Sequence, residues 1–178
     1  MRKIKVLRFG MRIACMVVAA SLTGCDKIEK IVNKKPAPVP MNLVAEKSTA
    51  AELVDWVKNW KSGKLTDLQR DQAFEKLKGR MVVFKGEVRE IGTTMLDEKL
   101  FVSLKVGKIN MLEDLNVQFN LPEAAKSTVA AWKKGEAHVL RGRVEKKGDL
   151  EDDAVCEDSE VVSIEVFDKD ASSAPSGK

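Results

Sequence analysis

Few side chains in this 178-residue sequence are equipped for covalent chemistry. There is one histidine, His138, and no tyrosine; the cysteines are Cys15, Cys25 and Cys156. A thiolate beside an imidazole makes a nucleophile pair, and Cys156 and His138 fall on neighbouring predicted strands. Nothing resembling a nucleophile elbow or a third orienting group accompanies them. His138 alternates in step with Leu140, Gly142 and Val144, which predicts a partly buried structural histidine. Cys156 reads as a small buried apolar residue. Asp149, Glu151, Asp152 and Asp153 crowd one turn but lack the spacing and late bidentate glutamate of a calcium loop, so they read as a solvated hairpin. These residues imply no catalytic group, no cofactor and no metal site, and the chain is expected not to be an enzyme.

Binding chemistry is the remaining class. Proteins that hold single-stranded nucleic acid on a sheet use outward aromatics and a basic groove. Here Phe101 is the only outward aromatic on the second and third predicted strands. Lys85, Arg89, Arg141 and Arg143 could form a basic stripe, but the acidic turn beside them would repel a polyanion. The face formed by Phe101, Ser103, Asn116, Gln118 and Asn120 is uncharged, and suits a sugar, a peptide or the edge of a partner protein. Trp56 and Trp60 offer a second docking surface, although core packing is the better reading of two tryptophans on one helical stripe.

The N-terminus carries an address. Arg2, Lys3, Lys5, Arg8 and Arg12 precede the apolar run of residues 13–20, which is too short to span a bilayer. Leu22-Thr23-Gly24-Cys25 follows directly and resembles the lipobox of bacterial lipoprotein precursors. That resemblance implies cleavage after Gly24 and a diacylglycerol, with a further acyl chain such as palmitate, on Cys25. More than one acyl chain gives stable anchoring rather than reversible contact. Residues 1–24 hold five of the 31 basic side chains and none of the 27 acidic ones. What remains has 26 against 27, a formal net of −1, so the whole-chain pI of about 8.9 is no argument for nucleic acid. Only Cys156 is then left unmodified, which precludes an internal disulfide. Asp26, after the lipidated cysteine, resembles the inner-membrane retention signal of enterobacterial lipoproteins; the expected location is a lipid anchor facing the periplasm, with the outer membrane the other option.

The elements that must position these residues follow from periodicity. Residues 25–46, with Pro36, Pro38 and Pro40, read as a lipidated start and flexible tether. Residues 47–79 read as a helical segment. Thr49 and Glu52 have capping-box spacing ahead of Leu53, Trp56, Val57 and Trp60; Gly63 stops that helix, and Thr66 with Gln69 caps a second. From Arg80 the period becomes two. Val82, Phe84, Gly86 and Val88 alternate with polar residues, as do Leu100 to Val106 and Leu115 to Phe119. Pro122 opens a short helix ended by Gly135, and two more strands cover about Ala137–Glu145 and Ala154–Val162. Gly86 and Gly142 inside strands suggest bulges or sharp coils. Residues 168–178 are polar and read as a disordered tail.

Three strands, a helix and two strands is the order of the five-stranded OB barrel, so the fold class is α+β. Residues 80–167 form that domain. Within them, VVFKGEVREIG at 82–92, LKVGKINMLEDLNVQFN at 104–120, WKKGEAHVLRGRVEKKG at 132–148 and AVCED at 154–158 resemble the tRNA-anti-like OB family of bacterial lipoproteins. The resemblance implies a fold far more than a ligand, since its motifs are structural glycines and apolar alternation. The expected function is a membrane-anchored periplasmic module that binds a protein partner or envelope component without catalysis. The alternatives are single-stranded nucleic-acid or oligosaccharide binding through the same face, or an exclusion or inhibitor lipoprotein of a mobile element. Nucleic acid and metal are the less expected partners.

Overall fold

The computed structural model describes residues 40–94, 97–148 and 152–171. The signal segment, the lipobox residues Leu22, Thr23, Gly24 and Cys25, and the tether up to residue 39 lie outside the described residues, as do Asp149, Glu151 and residues 172–178.

The chain enters through helix α1, Leu43–Lys61, whose cap is Asn42 rather than Thr49. The Asn42 side chain accepts from the Ala45 amide at 3.2 Å, and the Glu46 carboxylate accepts from the Asn42 amide at 3.2 Å. The helix therefore starts within the expected tether. The early turns escape an apolar pattern because their inward positions are partly polar: Leu43, Glu46, Thr49 and Ala50 are all buried, at helical spacing. Thr49 instead donates to the Ala45 carbonyl, inside the helix. Gly63, at φ +70°, takes the left-handed turn after the last residues. Helix α2, Asp67–Glu75, has the expected capping box between Thr66 and Gln69. Its Phe74 ring lies 5.0 Å from that of Trp56, tilted by 48°, and Trp56 lies 5.2 Å from Trp60. Trp56 is buried and its indole donates to the Arg70 carbonyl at 3.0 Å, so this tryptophan belongs to the core.

Five strands follow: β1 Met81–Thr93, β2 Leu100–Lys108, β3 Asp114–Leu121, β4 Ala137–Lys147 and β5 Ala154–Val162. They close into a barrel in the order β1-β2-β3-β5-β4, with β3 and β5 parallel and every other pair antiparallel. This is the OB arrangement, and it leaves no sheet edge unpaired. A one-turn helical stretch, Glu123–Ala125, leads into α3, Lys126–Val129, between β3 and β4. The inward residues Val82, Phe84, Val102, Leu104, Val117, Phe119, Leu140 and Val144 form one core with Leu53, Trp56, Val57 and Phe74 of the helices and Val129 of α3.

The long β1 strand serves both neighbours: its first half pairs with β4 and its second with β2. The bulge expected at Gly86 falls instead at Arg89, between Val88 and Glu90. Gly86 answers a different need, since a Cβ there would stand 2.6 Å from the Lys105 carbonyl of β2. Gly142 does mark an irregularity, between Arg141 and Arg143 in the β4–β5 register. A side chain there would meet Ser159 Oγ at 2.6 Å and Cys156 Cβ at 2.9 Å.

The expected disordered tail begins too early. Helix α4, Ile164–Ala171, follows β5 and includes residues 168–171. Its Phe167 packs on a second apolar cluster, Leu43, Val83, Val139 and Val162, on the outside of the barrel. Lys85 pairs with Asp168 at 2.9 Å, and Lys47 donates to the Phe167 carbonyl at 2.6 Å while lying over its ring. The segment reads as polar because a single aromatic, Phe167, docks it.

Candidate binding face

Register places the five candidate residues on one side of the sheet. Phe101 opposes Asn120, Ser103 opposes Gln118, and Asn116 opposes Lys105 on the outer face of β2 and β3. Alternation makes this unavoidable, because Val102, Leu104, Val117 and Phe119 take the inner positions. Phe101 lies over Gly92 of β1, where a Cβ would stand 2.9 Å from the ring. A glycine opposite lets the aromatic lie close on the sheet.

The face is not evenly open. Ser103 is fully buried and Asn120 nearly so, whereas Phe101, Asn116 and Gln118 are half-buried. The cause is the end of the β4–β5 connection, which folds over β2 and β3. Ser103 Oγ donates to Asp152 at 2.5 Å, and Arg89 lies 3.8 Å from the same carboxylate. Asp153 donates its amide to the Asn116 carbonyl at 2.8 Å, and its carboxylate accepts from the Asn116 amide at 3.0 Å. Lys61 of α1 reaches Asp153 at 3.2 Å. Asp152 and Asp153 are thus buried and partnered, not the solvated turn that their charges suggest. At the other end Gln118 donates to Asn120 at 2.7 Å, Asn120 donates to Glu157 at 2.8 Å, and Lys99 reaches Glu157 at 3.2 Å. Phe101 and Gln118, diagonal neighbours across β2 and β3, stay partly exposed between these contacts.

The basic stripe is answered by carboxylates at every position. Lys85 pairs with Asp168, Arg89 with Asp152, and Arg143 with Asp158 at 2.9 Å and Glu145 at 2.5 Å. Arg141 is buried between Glu46, at 2.7 and 2.8 Å through two guanidinium nitrogens, and Glu160 at 2.6 Å. These bonds, chiefly those to Glu46, hold its pKa above the ordinary guanidinium value. Sequence inspection misses this cluster, since Glu46 falls in a segment read as tether. A carboxylate at an inward helical position is the one signal that could have exposed it.

Cys156 is fully buried, and burial pushes its thiol well above the ordinary value, away from the nucleophilic thiolate. It opposes Val144 on β4, six residues along from His138, a separation of about 20 Å at the usual strand rise. The two residues do not form a pair. His138 stacks on Trp132 with ring centroids 3.7 Å apart and planes 11° from parallel, and its Nε2 lies 3.4 Å from Glu136. Among the described residues no helix is long and apolar enough to cross a membrane.

No family model matches the sequence, and no curated protein does. Solved structures with similar backbones include a Klebsiella pneumoniae lipoprotein provisionally assigned to nucleic-acid binding, at 17% identity and a TM-score of 0.40, covering 52% of this chain and 77% of that one. An OBody bound to hen egg-white lysozyme is 17% identical, with a TM-score of 0.37, over 49% of this chain and 86% of that one. A small single-stranded DNA-binding protein from Streptomyces coelicolor is 16% identical, with a TM-score of 0.30, over 48% and 89%. Likenesses this distant carry no inference about a ligand, and the closed strand order is what makes this chain an OB-fold protein.

Proposed function

We propose that this chain is a lipid-anchored envelope protein of the tRNA-anti-like OB type, whose barrel binds a protein partner or envelope component without catalysis. Cys25 carries the lipid, and Asp26 favours the inner membrane. The binding surface is the outer face of β2 and β3, centred on Phe101 and Gln118. One observation carries the choice of ligand class: Lys85, Arg89, Arg141 and Arg143 are each already paired with a carboxylate of the same chain. A polyanion would have to displace those partners, whereas an aromatic ring beside a primary amide offers stacking and hydrogen bonds to a neutral edge. The buried Cys156, remote from His138, supports a non-enzymatic role.

The test is crosslinking in intact cells, comparing wild type with the Phe101→Ala/Gln118→Ala variant, both lipidated. A specific envelope protein captured by the wild type and lost in the variant is the expected result. Equal capture by both would remove this face from consideration. Retention of single-stranded oligonucleotide that weakens steeply with salt would replace the reading with a nucleic-acid one.

A further inference from the structure

The hairpin between β2 and β3 carries two large apolar side chains that the described residues leave uncovered. Met111 is 92% exposed and Leu112 is 98% exposed, the most exposed large apolar residues among those described. They are adjacent, and the turn that holds them is tightly bonded. The Asn110 side chain accepts from the amides of Leu112 and Glu113, both at 2.9 Å. The Ile109 amide donates to the Glu113 carbonyl at 2.9 Å, and Ile109 itself packs against the barrel core. The carboxylates at the base are paired: Glu113 with Lys61 at 2.8 Å, and Asp114 with Lys105 at 3.1 Å. Lys108 stands exposed beside the turn. The result is a short, ordered, convex finger with an apolar tip and a charge-balanced root.

We propose that Met111 and Leu112 form an interfacial contact that enters the headgroup and upper acyl region of the bilayer to which the chain is tethered. The inference rests on the lipid-anchor reading. Shape and area favour a bilayer over a protein partner. Two aliphatic side chains bury about 120 Å² each on the usual transfer scale. A stable protein interface needs roughly 800 Å² per partner, and a convex tip cannot supply it. A bilayer needs no complementary pocket, and interfacial contacts gain strength with each apolar group inserted. The tether adds the missing affinity. Residues 26–40 span at most about 50 Å when extended, more than the ~27 Å of α1 between Leu43, where the tether joins, and Lys61 at the finger root, so the tip can meet the membrane at the high effective concentration of an intramolecular encounter. Paired carboxylates at the root lower the repulsion from anionic headgroups, and Lys108 adds attraction.

The test uses the full lipidated protein, purified and reconstituted on vesicles of phosphatidylethanolamine and phosphatidylglycerol. A polarity-sensitive fluorophore is attached at Met111→Cys, with Ser127→Cys on α3 as the reference position; Cys156 is buried and escapes the label. Sedimentation with the vesicles scores the anchor, and the fluorophore scores the finger. The expected result is sedimentation of both proteins. Only the position-111 probe should then show a blue-shifted emission, with quenching by lipids brominated near the headgroup several-fold stronger than at position 127. Adding Leu112→Asp should abolish that difference. Protein that sediments while its position-111 probe remains as in water overturns the finger and leaves the anchor standing. Protein that fails to sediment overturns the anchor, and the membrane finger with it.

Discussion

At the residue scale, the ion cluster of Glu46, Arg141 and Glu160 joins three separate parts of the chain. Arg141 projects from the outer face of β4, where the carboxylates of Glu46 and Glu160 pair with its buried guanidinium. Removing Glu46, the buried partner that holds two of its nitrogens, leaves that charge under-compensated in a dry site. Glu46→Ala should therefore destabilise the domain by about 3–5 kcal/mol, read from chemical unfolding. A cost no greater than that of an exposed pair would show that Arg141 finds water instead. Cys156 supplies a prediction about pH. Its folded-state pKa lies above the ordinary thiol value of 9.0, so the folded chain binds more protons than the unfolded chain once the pH exceeds that value. Stability should fall as pH rises above about 9, and the fall should be shallower in Cys156→Ala when the two unfolding curves are compared. The same burial predicts no reaction with a thiol reagent at neutral pH until the protein is unfolded.

At the scale of elements, short segments with polar composition hold the barrel's outer surface. Asp152, at the start of the described residues before β5, seals Ser103 in the middle of the β2–β3 face. Asp152→Ala strips that hydroxyl of its acceptor and should cost about 1–3 kcal/mol, with increased hydrogen exchange along β2 as the local readout. Stability unchanged by the substitution would mean that Asp152 does not seal this part of the face. Helix α4 plays the matching part on β1 and β4 through Phe167 and the Lys85–Asp168 pair. Ending the chain after residue 163 should lower the melting temperature and expose Val83 and Val139, detected by dye binding. Fluctuating termini are usually dispensable, so an unaltered melting temperature would show that α4 does not dock. Gly142 limits how far β4 can be altered: Gly142→Ala pushes a methyl group into Ser159 and Cys156 and should cost about 1–3 kcal/mol.

At the scale of the whole molecule, the balance of charge follows from pairing more than from counting. If residues 1–24 are removed, as the proposed anchoring requires, the formal net charge is −1, and the cations of the candidate stripe face carboxylates at close range. The proposed ligand class and the membrane finger draw on the same economy: opposed charges neutralise each other within the fold and leave small uncharged or apolar features as the distinctive surface. The strand plan was legible in the sequence because a two-residue period is a local property. Alternation put Phe101, Ser103, Asn116, Gln118 and Asn120 on one face before any contact was known, and β5 spans the expected residues. The capping box of Thr66 and Gln69 was equally legible, since its partners are three residues apart. Accessibility was not. Ser103 is buried by Asp152, Arg141 by Glu46, and the segment 168–171 is made helical by the docking of Phe167, with partners far away in sequence. Local order therefore came from residue spacing, which acts over one turn or one strand, whereas the open or closed state of each face was decided by tertiary contact. Burial is set by whichever distant segment arrives to exclude water, and no local pattern records that arrival.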